Sequence, residues 1–107
     1  MPSISNLLAE METLLRRHDF ADFADRLSVI GSTQNSIEFA AQVQSLDIWG
    51  GTGSIVDVTL GDPFEERRFN ELIVDLAEAL DQLGIGTPRS RWVGQTIEDW
   101  LIAHPTI

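Results

Sequence analysis

The chain has 107 residues, 43% of them apolar, enough for one domain with a core of its own and too apolar for a disordered segment. Seventeen acidic residues stand against seven arginines and no lysine, a net charge of -10 that repels phosphate backbones and argues against nucleic-acid binding. The absence of cysteine excludes disulfides and thiolate metal sites, and no apolar run approaches the roughly 20 residues of a membrane span. The first residues carry no basic stretch ahead of an apolar one, so no secretory signal is expected and the cytoplasm is the default location.

Ile4, Leu7, Leu8, Met11, Leu14 and Leu15 recur at steps of three and four and predict a helix capped by Ser3 or Ser5. Arg16, Arg17 and His18 complement the dipole at its end, and Glu12 pairs favourably with Arg16 one turn on. Asp19 is the expected cap of a second helix, with Phe20, Phe23, Ala24, Leu27 and Ile30 as its buried face and Gly31 as its stop. Residues 36–46 read two ways. Ile37, Phe39, Ala41 and Val43 alternate with polar or small residues as in a half-buried strand, whereas Phe39, Val43 and Leu46 fit a helix capped by Ser36. The alanines and glutamines tip the choice to helix.

The stretch Asp47 to Asp57 holds Trp49 and three glycines, Gly50, Gly51 and Gly53, and reads as a bend in the fold. After it, Ser54 and Asp57 have capping-box spacing, predicting a short helix from Ser54; the alternative is a strand over 54–60 paired with 37–43. Asp62-Pro63-Phe64-Glu65 is the clearest helix start in the chain: a cap, proline at the first position, and an acid at the third. The helix it opens runs to Leu83 with an apolar stripe of Phe69, Leu72, Ile73, Leu76, Leu80 and Leu83, and Gly84 ends it. Thr87-Pro88 can start a last helix bearing Trp92, Val93, Thr96, Ile97, Trp100 and Leu101. Gly94 costs such a helix about 1 kcal/mol relative to alanine, which favours a start at Gln95. His104 falls in a tail expected to fray. The expected fold is all-α, a single small domain (1–107) of about five helices with a glycine-rich bend at residues 50–53.

Little in the sequence points to catalysis. The glycine bend could cradle a phosphate ahead of a helix, but it lacks the lysine that follows the last glycine of a P-loop. Ser54 is no nucleophile elbow, because Val56 stands where that turn needs glycine. His18 and His104 have no regular spacing to carboxylates, so no metal site, cofactor or acid–base pair can be singled out. A non-enzymatic role follows as the expectation.

Two surface groups are candidates for partner binding. Glu71, Glu78 and Asp81 lie opposite the leucines of the long helix, with Asp75 on the flank; like charges one turn apart repel, and a basic partner would relieve them, although a plain solvated face is the more ordinary reading. Arg89, Arg91 and Trp92 combine the residue types most enriched in interface hot spots; the alternative, weighted slightly above it, puts Trp92 with Trp100 in the core and pairs the arginines with surface carboxylates.

The run Ile48-Trp49-Gly50-Gly51-Thr52-Gly53-Ser54-Ile55-Val56-Asp57 resembles the aromatic-Gly-Gly-Met-Gly-Ser-aliphatic-Asn-Asp signature of a family of small bacterial proteins with no assigned activity. Thr52 replaces its methionine and Val56 its asparagine, and Asn70 matches the asparagine near the start of that family's next helix. The likeness spans roughly residues 5–83. It implies a helical fold and a bacterial origin, and it supplies no catalytic residues.

Three functions remain. The preferred one is an acidic binding protein, in its sharpest form an immunity protein or antitoxin that neutralises a basic effector. The second is a regulatory or adaptor module that binds a peptide or helix. The third is a small-ligand or enzymatic domain built on the glycine bend.

Overall fold

A computed structural model describes residues 3–50 and 53–105; within these, nothing is paired as strand. The fold is all-α. Its helices are α1 (Ile4–Arg17), α2 (Ala21–Gly31), α3 (Ser36–Val43), the single turn α4 (Leu46–Trp49), α5 (Pro63–Gln82) and α6 (Pro88–Ala103), with a 3-10 turn at Ile55–Asp57.

Helix α1 starts at Ser3, whose hydroxyl accepts the Asn6 N–H. The six large apolar residues of its face are all buried, including Met11 and Leu15 with no exposed surface. Asp19 does not cap α2. It takes φ 64°, and the N–H groups of Asp19 and Phe20 return to the carbonyls of Arg16 and Leu15, closing α1 in a Schellman turn. Aspartate tolerates the left-handed conformation better than most residues, so here it ends one helix instead of starting the next. Helix α2 then folds back, and Arg16 bridges to Asp25 across the turn at 2.9 Å. Ala24, Leu27 and Ile30 are buried, with Phe20 and Phe23 packed at the margin of the core.

The ambiguous segment is helical. Asn35, not Ser36, caps α3 by accepting the N–H groups of Ile37 and Glu38. Ile37, which carried the strand-like alternation, is 81% exposed, while Val43 is fully buried. The side chain of Leu46, and all of Gly51 and Thr52, lie outside the described residues. After the bend, the short helix expected from Ser54 is only the 3-10 turn. Ser54 makes no side-chain cap bond to it, and Asp57 accepts the N–H of Gly53 instead of closing a capping box.

Helix α5 forms as its start signal predicts, with Asp62 accepting the N–H groups of Phe64 and Glu65. Phe69, Leu72, Ile73, Leu76 and Leu80 are fully buried. Leu83 leaves the stripe and is 65% exposed, because it is the C-cap of a second Schellman turn in which Gly84 takes φ 74°. Helix α6 begins at Pro88, not Gln95. Thr87 and Ser90 form a reciprocal capping box, and Gly94 is buried within the helix.

Helix α5 is the shared wall. Glu10 to Arg68 and Arg17 to Glu65 hold α1 antiparallel to it on one side. On the other, Asp81 with Arg91 and Arg67 with the His104 carbonyl hold α6 antiparallel. Trp49 joins the bend to this frame. Its buried indole donates to the Val43 carbonyl at 2.9 Å, and its own carbonyl accepts from Arg89 Nε at 2.8 Å. The bend thereby ties the end of α3 to the start of α6.

Candidate functional site

The close approach of α6 to α5 at Gly94 leaves an open groove of about 650 Å³ between the two helices. Its floor is made of small side chains, Ala77 and Val74 from α5 around Gly94 from α6. Its walls are polar. Glu78 and Asp81 come from α5, and Arg91, Gln95 and Glu98 come from α6 at the four- and three-residue steps of one helical row.

The groove brings together Glu78 and Asp81 from one of the two surface groups that the sequence singles out and Arg91 from the other. Arg91 Nε donates to Asp81 Oδ1 at 2.8 Å and its Nη2 to the Gly86 carbonyl at 3.2 Å. Glu78 and Glu98 have no hydrogen-bond or ion-pair partner among the described residues. Glu71 differs: Arg67 approaches it at 3.7 Å and Arg68 at 3.6 Å. The repulsion expected along the acidic row is therefore relieved internally at Glu71 and Asp81, while Asp75 and Glu78 have no cation on them among the described residues. Glu98 escaped the sequence reading. The signal was present in the spacing of Arg91, Gln95 and Glu98, but only the antiparallel docking of α6 turns that row toward Glu78.

Arg89 and Trp92 lie on the other flank of α6, in a cleft of about 370 Å³ shared with Val56 and Asp57 from the turn after the bend. Trp92 is 59% exposed and Trp100 47%, so neither is a core residue. Both indoles are held by neighbours. The Arg89 guanidinium lies 5.0 Å from the centre of the Trp92 ring, and the His104 imidazole stacks on Trp100 at 4.4 Å. His104 also caps α6 through the Trp100 carbonyl and belongs to the ordered end of that helix. Of the glycine-bend residues, Trp49 and Ser54 are buried, Gly50 and Asp57 are exposed, and Gly53 takes φ 83°.

Two carboxyl groups on the α5 side are held below their ordinary range. Glu10 is lowered first by its hydrogen bonds to Arg68, and Asp62 by the backbone N–H of Glu65. Both effects belong to the scaffold, at an interhelix bridge and a helix cap. His18 Nε2 lies 3.4 Å from Glu65 in the same region. Among the described residues, no group of three His, Asp or Glu side chains is placed to hold a metal ion. No described helix is long and apolar enough to cross a membrane.

No protein family, curated protein or solved structure matches this chain.

Proposed function

We propose that the protein is a non-enzymatic binding protein whose acidic surface takes a basic protein partner. In its most specific form it is a bacterial immunity protein or antitoxin that neutralises a basic effector by covering it. The observation that carries this reading is the distribution of charge in the α5–α6 groove, where Glu78 and Glu98 line one cleft with no cation on them among the described residues. Carboxylates gathered in a concave surface focus the field of a chain whose net charge is already -10, which speeds encounter with a basic protein. The exposed tryptophan beside Arg89 offers a rigid anchor at low entropic cost, since its ring is already stacked.

The test is capture of partners from a bacterial host at low salt, followed by association kinetics. The retained protein is expected to be basic and to dissociate as salt rises. Lysine at Glu71, Glu78 and Asp81 together is expected to slow association and flatten its salt dependence. Because Asp81→Lys also breaks the bridge to Arg91, Glu78→Lys alone is run beside the triple variant. Equal on-rates for wild type and both variants would remove this face from the interface.

A second reading, a module that binds a short peptide, is favoured by the apolar character of a smaller cleft of about 290 Å³ lined by Phe64 and Trp100. Phe64 is 76% exposed at the start of α5. A peptide held there would bind with little salt dependence, which separates it from the first reading.

A further inference from the structure

We propose that the chain pairs with a second copy of itself through the flank of α6 that carries Trp92, Thr96 and Trp100. The pairing is two-fold, and it goes beyond the binding role proposed above.

Trp92, Thr96 and Trp100 stand at successive four-residue steps on α6 and form one ridge of exposed side chains. The ridge reads the same from either end: a large flat ring, a small side chain, a large flat ring. A closed two-fold interface needs a surface complementary to itself, and about Thr96 this ridge is one. Two copies set antiparallel bring Trp92 of each beside Trp100 of the other. The two Thr96 side chains then meet at the axis, where they are small enough for the helices to approach. Packing of such four-step ridges against each other is the commonest way that helices cross.

A cleft opens at each end of the ridge. The one at Trp92 holds about 370 Å³ and has Arg89 in its lining, and the one at Trp100 holds about 290 Å³ and has Phe64 and Glu66. The two-fold turns each cleft onto the other, so Arg89 of one copy reaches the end of α6 where the other copy has Glu66. Arg89 uses only Nε within the chain, on the Trp49 carbonyl, and its two Nη groups have no partner among the described residues. A net charge of -10 opposes the pairing of two copies. This flank opposes it least, because Asp57 and Glu66 are the only acids lining the two clefts and the ridge itself has none.

Both indoles are already held, one under the Arg89 guanidinium and one against the His104 ring, so little freedom is lost when they are covered. Trp92, Trp100 and Phe64 are 59%, 47% and 76% exposed, and at about 150–250 Å² for a whole aromatic side chain they leave on the order of 350 Å² open. That is nearly half of the roughly 800 Å² per copy in a stable interface, so the pair is weak and exchanges with the monomer. Pairing leaves the α5–α6 groove open on the other flank. It covers Trp92, so a basic partner that anchors on this ring draws the pair apart by mass action.

The test is sedimentation equilibrium of the whole protein from micromolar to millimolar concentration, at low and moderate salt. Wild type is expected to move toward the mass of two chains as concentration rises. The move is expected to be easier at moderate salt, which screens the repulsion between acidic copies. Trp92→Ala and Trp100→Ala are each expected to weaken pairing about tenfold or more, since either loss occurs twice in the pair. Ile37→Ser removes an equally exposed apolar side chain from α3 and is expected to change nothing. Thermal melts establish that the variants are folded. Thr96→Arg and Thr96→Glu test the register, because each puts like charges on the axis and is expected to stay single. An equal mixture of the two is expected to pair, although both chains remain strongly acidic. A single chain at every concentration and salt would overturn the proposal, as would pairing that survives both tryptophan changes, weakens with salt or grows beyond two chains. A mixture that fails to pair would overturn the two-fold about Thr96. A chain that stays single, and whose Trp92→Ala variant loses a basic partner, would give this face to that partner instead.

Discussion

A β-carbon placed on Gly94 would lie 2.7 Å from the Cβ of Ala77, so α6 crosses α5 where one of the two helices has no side chain. The glycine that weakens α6 in isolation is the residue that lets it dock. Removing about 1 kcal/mol of helix cost by Gly94→Ala is therefore expected to fail as a stabilising change. The forced separation of two packed helices costs about 1–3 kcal/mol and exceeds the gain. Denaturant unfolding should show Gly94→Ala less stable than wild type, and the Ala77→Gly, Gly94→Ala pair should recover part of the loss. A more stable single alanine variant would mean that the helices separate there without cost.

At Gly53 the constraint is in the backbone alone. With φ 83° and, among the described residues beyond its chain neighbours, no atom within 4 Å of where a side chain would sit, Gly53→Ala meets strain and no clash. The expected loss is about 1 kcal/mol, and Gly53→Asn should lose less, because asparagine tolerates the left-handed region. Thermal melts of the two variants check the order. Equal melting points for wild type and alanine would refute a fixed positive φ.

Trp49 is fully buried, and its carbonyl accepts from Arg89 Nε. Arg89→Ala leaves that acceptor without its donor and frees one face of the Trp92 ring. A loss of about 1–2 kcal/mol is expected in urea unfolding, together with faster collisional quenching of tryptophan emission. Arg89→Lys should restore little of either, since a single ammonium cannot reproduce the flat stacked donor. An alanine variant as stable as wild type would show that the bend holds itself.

The bridge from Glu10 to Arg68 makes stability depend on pH in a defined direction. Arg68 Nε and Nη2 donate to the two Glu10 oxygens at 2.6 and 2.9 Å, and these bonds lower the Glu10 carboxyl below its ordinary range. A group whose carboxyl is lowered on folding adds stability above its unfolded value and loses it as pH falls through the lowered folded one. Glu10→Gln should therefore be less stable than wild type at neutral pH, by under about 1 kcal/mol because both side chains are nearly half exposed. The difference should shrink to nothing as acid protonates Glu10. A gap that persists in acid would assign the effect to packing.

The long, strongly patterned elements were legible in the sequence. The apolar steps of α1, the stripe from Phe69 to Leu80 and the Asp62-Pro63 start are local features, set by helical geometry and by backbone groups within a turn of their partners. Short segments were less so. Asp19 and Ser36 looked like caps, but neighbouring residues decided otherwise: Phe20 returns to Leu15, and Asn35 reaches two N–H groups first.

The candidate groove was legible only in pieces. Glu78, Asp81 and Arg91 could be named as charged surface residues, but the spacing along each helix does not say which charges face one another. That depends on the antiparallel docking of α6 on α5, which joins Arg91 to Asp81, brings Glu98 to the groove of Glu78, and leaves Trp92 and Trp100 on the outside. The same docking explains why Gly94 stays inside a helix that its propensity would shorten. Periodicity and capping act over one turn and are written in neighbouring residues. The choice of partner helix, and hence which acids are neutralised and which stay open, rests on contacts between residues 10 to 58 positions apart.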